Sequence, residues 1–379
     1  MRGASPATPV QHARGTAESV RGLRVAYTML EPAEGPLVAR RRLLMTVCAV
    51  MAMYAMTACT GGIWQFLAPA TPSGSPIDAP QGALSSPVWL ADGWIYVLRD
   101  DPTLGPREEV WRTRQAGKAE RLNLPDQPGC RVTGYQRLQA LPDGRLGIER
   151  LCLMEDPRQD YFDLVAYEPS TAKVEPLVRL SNMANQVTWA PGLQEGYVSH
   201  SDAICVGIAR FTRNGAERIP DPVTFDGHRW VIDSAWFSEA AADCTADGQA
   251  NLPVLRKDGK SLLIFASPTS QGESGGSRTR HPWNLYRWTP GVDQPRSVVK
   301  GFGPPLAAVI TPDDRSLLVA TQWKSQDGIW RVDLQSGEVT SVSAGKGLGV
   351  TVSPDGKKIA AVFESGDTEH TRLRVIDAA

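Results

Sequence analysis

Short apolar segments separated by polar turns recur along most of the chain. Each unit starts with an apolar stretch, passes through a turn rich in aspartate, glycine and proline, and continues into a second apolar stretch. Asp-Gly pairs tolerate the positive φ of tight turns, and proline presets a turn's first corner, so the pattern predicts β-hairpins. The six turns are Leu90-Ala91-Asp92-Gly93, Leu141-Pro142-Asp143-Gly144, Ala190-Pro191-Gly192, Arg256-Lys257-Asp258-Gly259, Thr311-Pro312-Asp313-Asp314 and Ser353-Pro354-Asp355-Gly356.

Further strands follow each turn. The second stretches are apolar and partly β-branched, as in Leu262–Phe265 and Ile359–Val362, which predicts buried strands. A third stretch recurs as Val110-Trp111-Arg112, Asp163–Tyr167, Asn284–Trp288 and Ile329–Leu334. Because another short segment follows the turn after it, one unit contains four strands.

The unit repeats about every fifty residues, a period typical of propeller blades. Ser353-Pro354-Asp355 before an apolar strand, and Ile329-Trp330-Arg331-Val332-Asp333 before a glycine turn, resemble the TolB-like or WD40-like propeller repeat. Residues 306–377 match it best, and residues 86–300 match more loosely. The resemblance implies an all-β fold, a six-bladed β-propeller of four-stranded blades over residues 86–379.

Three parts of the repeat depart from the pattern. The third blade has Ala190-Pro191-Gly192 in place of Pro-Asp-Gly, and the fourth carries extra residues from 220 to 252. The last blade stops at Asp377 after three strands. We expect a segment between about Ile63 and Ser86 to supply its fourth strand and so to close the ring.

An export signal is predicted near the N-terminus. Arg40, Arg41 and Arg42 precede an apolar run from Leu43 to Ala58, which is short for a membrane span but typical of a signal peptide. The run ends in Met56-Thr57-Ala58-Cys59, which resembles the bacterial lipobox, with methionine where leucine is usual. The resemblance implies cleavage of residues 38–58, lipid on Cys59 and an extracytoplasmic protein anchored to the cell membrane. An uncut signal anchor is the alternative.

The segments on either side of this signal differ in composition. Residues 1–37 are longer than a usual signal n-region, which indicates a misassigned or disordered extension. Translation would then start at Val38 or Met29. Residues 59–85 are rich in Pro, Ser, Ala and Gly, which predicts a flexible tether.

The charge balance argues against nucleic acid as a partner. The first 58 residues hold seven arginines and three glutamates, which leaves 33 basic and 38 acidic residues of the totals of 40 and 41. Binding to a phosphate backbone requires a basic footprint, which this remainder lacks. An envelope protein or cell-wall glycan is the expected partner.

Four cysteines lie in the body of the chain, at Cys130, Cys152, Cys205 and Cys244. In an oxidising compartment an even number predicts disulfides, whereas in a cytosolic protein it would suggest metal or redox chemistry. On the repeat register Cys130 and Cys152 flank the Asp143-Gly144 hairpin and form one pair. The other pair, Cys205 with Cys244, would link the third blade to the insertion.

The search for catalytic residues finds no complete set. Gly272-Glu273-Ser274-Gly275-Gly276 satisfies G-x-S-x-G, but no helix follows it as a nucleophile elbow requires. Histidines 200, 228, 281 and 370 are scattered singly, without the spacing of metal ligands. We therefore expect no catalytic residue, no metal and no cofactor.

The tryptophans divide into two sets. Trp111, Trp288 and Trp330 recur at matching repeat positions and predict packing between blades. Trp230, Trp236 and Trp283 lie in irregular segments and are candidates for a binding rim, where an aromatic beside a charge suits protein or glycan contact.

These observations favour a non-enzymatic binding module over an enzyme. In this hypothesis the loops at one end of the propeller bind an envelope protein or glycan. The alternative is a propeller enzyme, a metal-dependent lactonase or a glycan lyase or hydrolase, using acidic residues at the central channel. It predicts carboxylates or histidines of several blades within about 3 Å of one point. A sensor with a separately encoded partner is a third possibility.

Overall fold

The hairpin pattern of the sequence folds into antiparallel sheets. The computed structural model describes residues 71–100, 108–156, 159–181, 184–201, 206–213, 224–225, 228–229, 248–268, 282–290, 292–293, 295–365 and 370–378. These residues form 25 strands and no α-helix. Across the same ranges, no helix has the length and hydropathy that a membrane span requires.

Two sheets of four strands come first along the chain. Both have their strands in sequence order, from the first strand to the fourth. The first sheet consists of β2 (Ala83–Trp89), β3 (Ile95–Asp100), β4 (Glu108–Thr113) and β5 (Glu120–Arg121). The second sheet consists of β6 (Val132–Ala140), β7 (Leu146–Leu153), β8 (Tyr161–Glu168) and β9 (Lys173–Ser181).

A long sheet of eleven strands follows, with a two-stranded ribbon outside it. The ribbon pairs β13 (Thr224–Phe225) with β14 (His228–Arg229). The long sheet contains β10 (Ala184–Trp189), β11 (Glu195–Ser201), β12 (Val206–Thr212), β15 (Gly248–Leu255), β16 (Leu262–Pro268), β17 (Trp283–Trp288), β18 (Arg296–Phe302), β19 (Ala307–Ile310), β20 (Ser316–Trp323), β21 (Gln326–Asp333) and β22 (Val339–Ala344).

The last sheet joins the two ends of the described chain. Its order is β1-β25-β24-β23, in which β1 is Ser75–Pro76, β23 is Gly347–Val352, β24 is Lys358–Glu364 and β25 is Thr371–Asp377. Ser75 pairs with Val375, and Pro76 with Arg374. The fourth strand of this sheet therefore comes from the segment between Ile63 and Ser86.

The described residues thus contain four sheets of four or more strands, where the sequence predicted six separate blades. The long sheet is continuous because single residue pairs connect its groups of strands. Val206 of β12 pairs with Gln249 of β15 in parallel, and Phe302 of β18 pairs with Trp323 of β20. Elsewhere in the long sheet, neighbouring strands pair over four or more residues.

All six predicted turns are present and hydrogen-bonded. In each, the amide of the fourth residue donates to the carbonyl of the first, at 2.8–3.1 Å, and in the third turn Leu193 is that fourth residue. The fourth residues all have positive φ. The aspartates add a second support, because the Asp92 and Asp355 carboxylates accept hydrogen bonds from backbone amides two residues later. The turn composition is therefore explained by its geometry.

The hydrophobic core lies between the sheets. Five buried clusters separate successive groups of strands, and the fifth packs Leu84, Ile95 and Val97 of the first sheet against Leu373 and Val375 of the last. The first strands also contact one another, β2 with β6 and β23, β10 with β15, and β19 with β15 and β23. This is a propeller-like arrangement, in which each sheet covers the face of the next.

The tryptophans expected between blades differ in burial. Trp288 is fully buried in the largest cluster, and Trp330 is 7% exposed. Trp111 is half-buried, packs against the fifth cluster and donates its indole N–H to Glu109 at 2.8 Å. Trp111 and Trp288 therefore pack against other strands, whereas Trp330 is hydrogen-bonded to the Thr321 carbonyl of β20.

Candidate binding cleft

A short N-terminal segment, residues 71–82, crosses three groups of strands, and we call it the strap. Ser73 N donates to Ser343 Oγ of β22 at 3.0 Å, and Ile77 N donates to the Leu373 carbonyl of β25 at 3.1 Å. Further along, Thr113 Oγ1 of β4 donates to the Asp78 carbonyl at 2.6 Å. The strap thus ties the long sheet, the last sheet and the first sheet together.

Gly74 allows the strap to lie close to β25. Its φ is 90°, and a Cβ added there would stand 2.4 Å from the Val375 carbonyl oxygen. The Arg374 Nη1 donates to the carbonyl oxygens of Pro72 and Gly74, at 2.8 and 2.7 Å. The guanidinium charge of Arg374 is therefore bound to neutral carbonyls at this end of the strap.

Two cavities are lined by residues of both β25 and the strap. The larger, which we call the cleft, has a volume of about 700 Å³, and the smaller, the side cavity, about 560 Å³. Arg372 and Ser365 line both. The lining of the cleft comes from four strands and three connecting segments: Thr71, Pro72, Gln326, Asp327, Trp330, Ser341, Ala344, Gly345, Lys346, Phe363, Glu364, Ser365, Arg372 and Arg374.

The charged groups of the cleft are mostly accessible. Lys346 Nζ lies 2.9 Å from Glu364 Oε2, with the two side chains 49% and 29% exposed. Arg372 and Asp327 are exposed, and within the described ranges neither has a hydrogen-bonded or ionic side-chain partner. Once the Lys346–Glu364 pair is set aside, two guanidinium groups face one carboxylate. The cleft therefore presents a small excess of positive charge.

The floor of the cleft is aromatic and rigid. Phe363 is 1% exposed and Trp330 is 7% exposed. The Trp330 indole N–H donates to the Thr321 carbonyl at 3.2 Å, which fixes its ring. Polar and charged groups thus surround a buried apolar floor, an arrangement suited to binding a polar ligand with a few apolar faces.

A second polar group lies inside the molecule, and we call Glu108, Arg137 and Glu149 the interior charge group. Arg137 of β6 pairs in register with Glu149 of β7, and Glu149 Oε1 accepts a hydrogen bond from Val187 N of β10 at 3.3 Å. Glu108 begins β4 of the neighbouring sheet. The group therefore connects the first sheet, the second sheet and the long sheet.

Burial changes the acidity of these groups. Burial together with the nearby Asp100 carboxylate raises the pKa of Glu108 to about 7, against the opposing charge of Arg137. Burial also raises the pKa of Glu149, which is 4% exposed, and lowers that of Arg137. Glu108 Oε2, Arg137 Nη1 and Gln186 Oε1 are buried without a hydrogen-bond partner within the described ranges.

Two first strands contain a bulge near the interior charge group, β6 just before Arg137 and β10 at Gln186. Gln136 and Gln186 are each an extra residue in the pairing of β6 with β7 and of β10 with β11. The same irregularity occurs in β2, β15 and β23. A bulge changes which face the following side chains point to. Strict alternation along β6 therefore does not identify Arg137 as an interior residue.

The predicted site residues have different outcomes. Cys130 and Cys152 form the expected disulfide, with Cα atoms 5.3 Å apart. Trp283, predicted on a binding rim, is 7% exposed in the core because β17 begins at this residue, so the rim assignment of Trp283 is wrong. The remaining ones lie outside the described residues: Cys59, Cys205, Cys244, Trp230, Trp236 and the Gly272–Gly276 segment.

The enzyme alternative predicts that carboxylates or histidines of several blades meet at one point, and the described residues meet this condition only in part. Glu108 and Glu149, from two sheets, lie near the same guanidinium. No group of three or more His, Cys, Asp or Glu side chains in these ranges is placed to hold a metal ion. Sequence patterns do not indicate that the strap forms a wall of the cleft, because the strap has the composition of a linker.

No protein-family model matches this chain, and no curated protein does. Solved structures do match its fold. An α-L-arabinanase of Penicillium chrysogenum, solved with arabinobiose, is 13% identical with a TM-score of 0.56, over 81% of this chain and 99% of that one. An α-L-arabinofuranosidase of Fusarium graminearum, solved with an iminosugar inhibitor, is 11% identical with a TM-score of 0.55, over 80% and 97%.

A TolB structure from Acinetobacter baumannii also matches, at 14% identity and a TM-score of 0.49, over 75% of this chain. The match spans 63% of that chain, less than two thirds of its length. At these identities the arabinanase and arabinofuranosidase establish a common fold.

Proposed function

We propose that this chain is an exported, lipid-anchored binding protein whose cleft holds a ligand of the cell envelope. The observation that carries the proposal is the pair of cavities around Arg372, with accessible charges over a fixed aromatic floor. Concave sites of this kind, with a few polar groups at the mouth, are the usual form of ligand sites. No catalytic residue is needed for this role.

The propeller of this proposal has six blades. Six hydrogen-bonded turns each open a group of strands, and the long sheet contains three such groups, which start at β10, β15 and β19. Single residue pairs join these groups, and a buried core lies against each of them. On this interpretation the strap closes the ring by adding β1 to the sixth blade.

Export and anchoring are supported by the lipobox-like segment ending at Cys59 and by the Cys130–Cys152 disulfide, which suits an oxidising compartment. Metabolic labelling with a fatty-acid probe tests the anchor. The wild-type chain should carry the label in the membrane fraction, and the Cys59→Ser variant should carry no label. A labelled Cys59→Ser protein, or an unlabelled wild type, would overturn lipid attachment.

Crosslinking in intact cells tests the binding role. We expect the anchored chain to form adducts with an envelope component, and Arg372→Glu to lose them while Arg296→Glu keeps them. Arg296 is an exposed residue of β18 that does not line the cleft, so it controls for charge reversal alone. Adducts that are the same in both variants would overturn the role of the cleft.

A second candidate function rests on the interior charge group. Two carboxylates from neighbouring sheets flank Arg137, and Glu108 has a pKa of about 7, in the range suited to a general acid or base. This would be a glycan hydrolase or lyase, or a lactonase that takes up a metal. Release of reducing ends or opening of a lactone by the purified chain, abolished by Glu108→Gln, would establish the enzyme and displace the binding module.

A further inference from the structure

We propose that the cleft and the side cavity together bind an acidic glycan, with a carboxylate of the glycan paired to Arg372; this rests on the binding role proposed above. Arg372 and Ser365 line both cavities, so a ligand that fills both passes over Arg372. Such a ligand is extended and has at least two units, as an oligosaccharide does.

The charges select an anionic ligand. Beyond residue 58 the chain carries more acidic than basic residues, yet the cleft has an excess of cations. Arg372 is exposed and has no carboxylate partner in the described ranges, while Lys346 is already paired with Glu364. A guanidinium donates two parallel hydrogen bonds to a carboxylate, and each uronic acid residue of a glycan carries such a carboxylate.

The remaining lining suits a sugar. Ser341 brings an exposed hydroxyl group to the cleft, and Phe363 and Trp330 form the apolar floor. Sugar rings present both hydroxyl groups and apolar C–H faces, so each part of this lining has a counterpart in the ligand.

An acidic peptide fits this surface less well. A peptide would be expected to add a strand to the exposed edge of β1, where backbone groups give most of the affinity. That edge is only two residues long, and the strap has proline at 72, 76 and 80, none of which can donate a backbone hydrogen bond. The strap carbonyls of Pro72 and Gly74 are already bound to Arg374.

Titration calorimetry with short alginate oligomers, a polyuronate, tests the proposal on the full chain held in detergent. The matched ligands are the same oligomers with reduced carboxyl groups, and a poly-glutamate peptide. We expect binding of the alginate oligomers alone, weakened by salt because the contact is ionic. Arg372→Ala should weaken it about tenfold and Arg372→Lys less, because lysine keeps the charge but not the paired donors.

Arg296→Ala is the matched control and should bind as the wild type does. Equal binding of the carboxyl-reduced oligomers, preference for poly-glutamate, or unchanged affinity in Arg372→Ala would each overturn the acidic-glycan assignment. If crosslinking in cells still depends on Arg372 in that case, the binding role stands and only the ligand class is wrong. If alginate binds through Arg372 but cellular adducts do not depend on it, the envelope role fails instead.

Discussion

Charged side chains from different strands meet in two regions of this molecule, and their surroundings differ. In the interior charge group Glu149 is 4% exposed, and its carboxylate is bound to a backbone amide of the next sheet. In the cleft the Lys346 and Glu364 side chains are 49% and 29% exposed. Buried charges lose much solvation and depend on the opposite charges near them, whereas exposed ion pairs contribute little to stability. We therefore assign stability to the interior group and ligand contact to the cleft.

The largest loss of stability is expected when a carboxylate of the interior charge group is removed. Glu149→Ala leaves the Arg137 guanidinium without its neighbour in register, and we expect a loss of about 3–5 kcal/mol in the free energy of unfolding. The matched variant in the cleft, Glu364→Ala, removes an exposed partner and should cost about 0.5 kcal/mol. Urea unfolding measures both, and equal losses would remove the distinction between the regions.

The next effect concerns the strap beside the cleft. Gly74→Ala places a Cβ 2.4 Å from the Val375 carbonyl oxygen and should destabilise the protein by about 2–3 kcal/mol. Gly93→Ala is its control, since Gly93 also has positive φ but its added Cβ meets nothing within 4 Å. We expect Gly93→Ala to cost only about 1 kcal/mol. Thermal unfolding that ranks the two variants in the opposite order would contradict the close approach of the strap.

A smaller effect on stability depends on pH, and it comes from Glu108 of the interior charge group. Because the folded protein holds the Glu108 proton up to a pKa of about 7, while the unfolded chain has the ordinary value of 4.5, Glu108 favours folding below about pH 4.5. That contribution is lost as the pH rises through 7. The full pKa difference corresponds to about 3 kcal/mol, and because Glu108 is only partly buried we expect about 1–2 kcal/mol.

Glu108→Gln should remove this pH dependence and make the protein more stable than the wild type at pH 8. Melting temperatures between pH 5 and 8 measure it. The control is Glu364→Gln, which changes a half-buried carboxylate at the edge of the cleft and should leave the wild-type pH profile intact. A pH profile that Glu108→Gln does not change would show that Glu108 is not the titrating group.

The smallest effect on stability is expected at Arg372. Its side chain is exposed and has no protein partner in the described ranges, so Arg372→Ala should change the free energy of unfolding by about 0.5 kcal/mol or less. Differential scanning calorimetry measures this. A large loss would show that Arg372 has a structural role and would weaken its assignment to ligand binding.

The sequence was sufficient for the features that local chemistry controls. All six Asp-Gly or proline turns form, because the positive φ and the carboxylate hydrogen bonds belong to the turn residues themselves. The Cys130–Cys152 pair followed from the hairpin between them. Trp288 is buried, as its repeated position indicated.

The features that could not be predicted from the sequence depend on strand pairing between residues far apart along the chain. Arg137 of the interior charge group follows a bulge in β6, and a bulge leaves no mark in composition. The long sheet results from single residue pairs between groups of strands. Trp283 was predicted on the rim because it was assigned to an irregular segment, but it is the first residue of a core strand.

The cleft combines a part that was visible in the sequence with a part that was not. Arg372 and Arg374 alternate with Leu373 and Val375, which already indicates one polar face on the last strand. The strap that turns this face into a cavity reads as a linker, since its strand has only two residues.

Hydrogen exchange, with and without alginate oligomers, tests most directly that the cleft is the binding site. We predict slower exchange in peptides covering the strap and β25, at residues 71–82 and 370–377, and unchanged exchange in β6 and β7 around the interior charge group. Protection confined to β6 and β7, or protection that persists unchanged in Arg372→Ala, would contradict it.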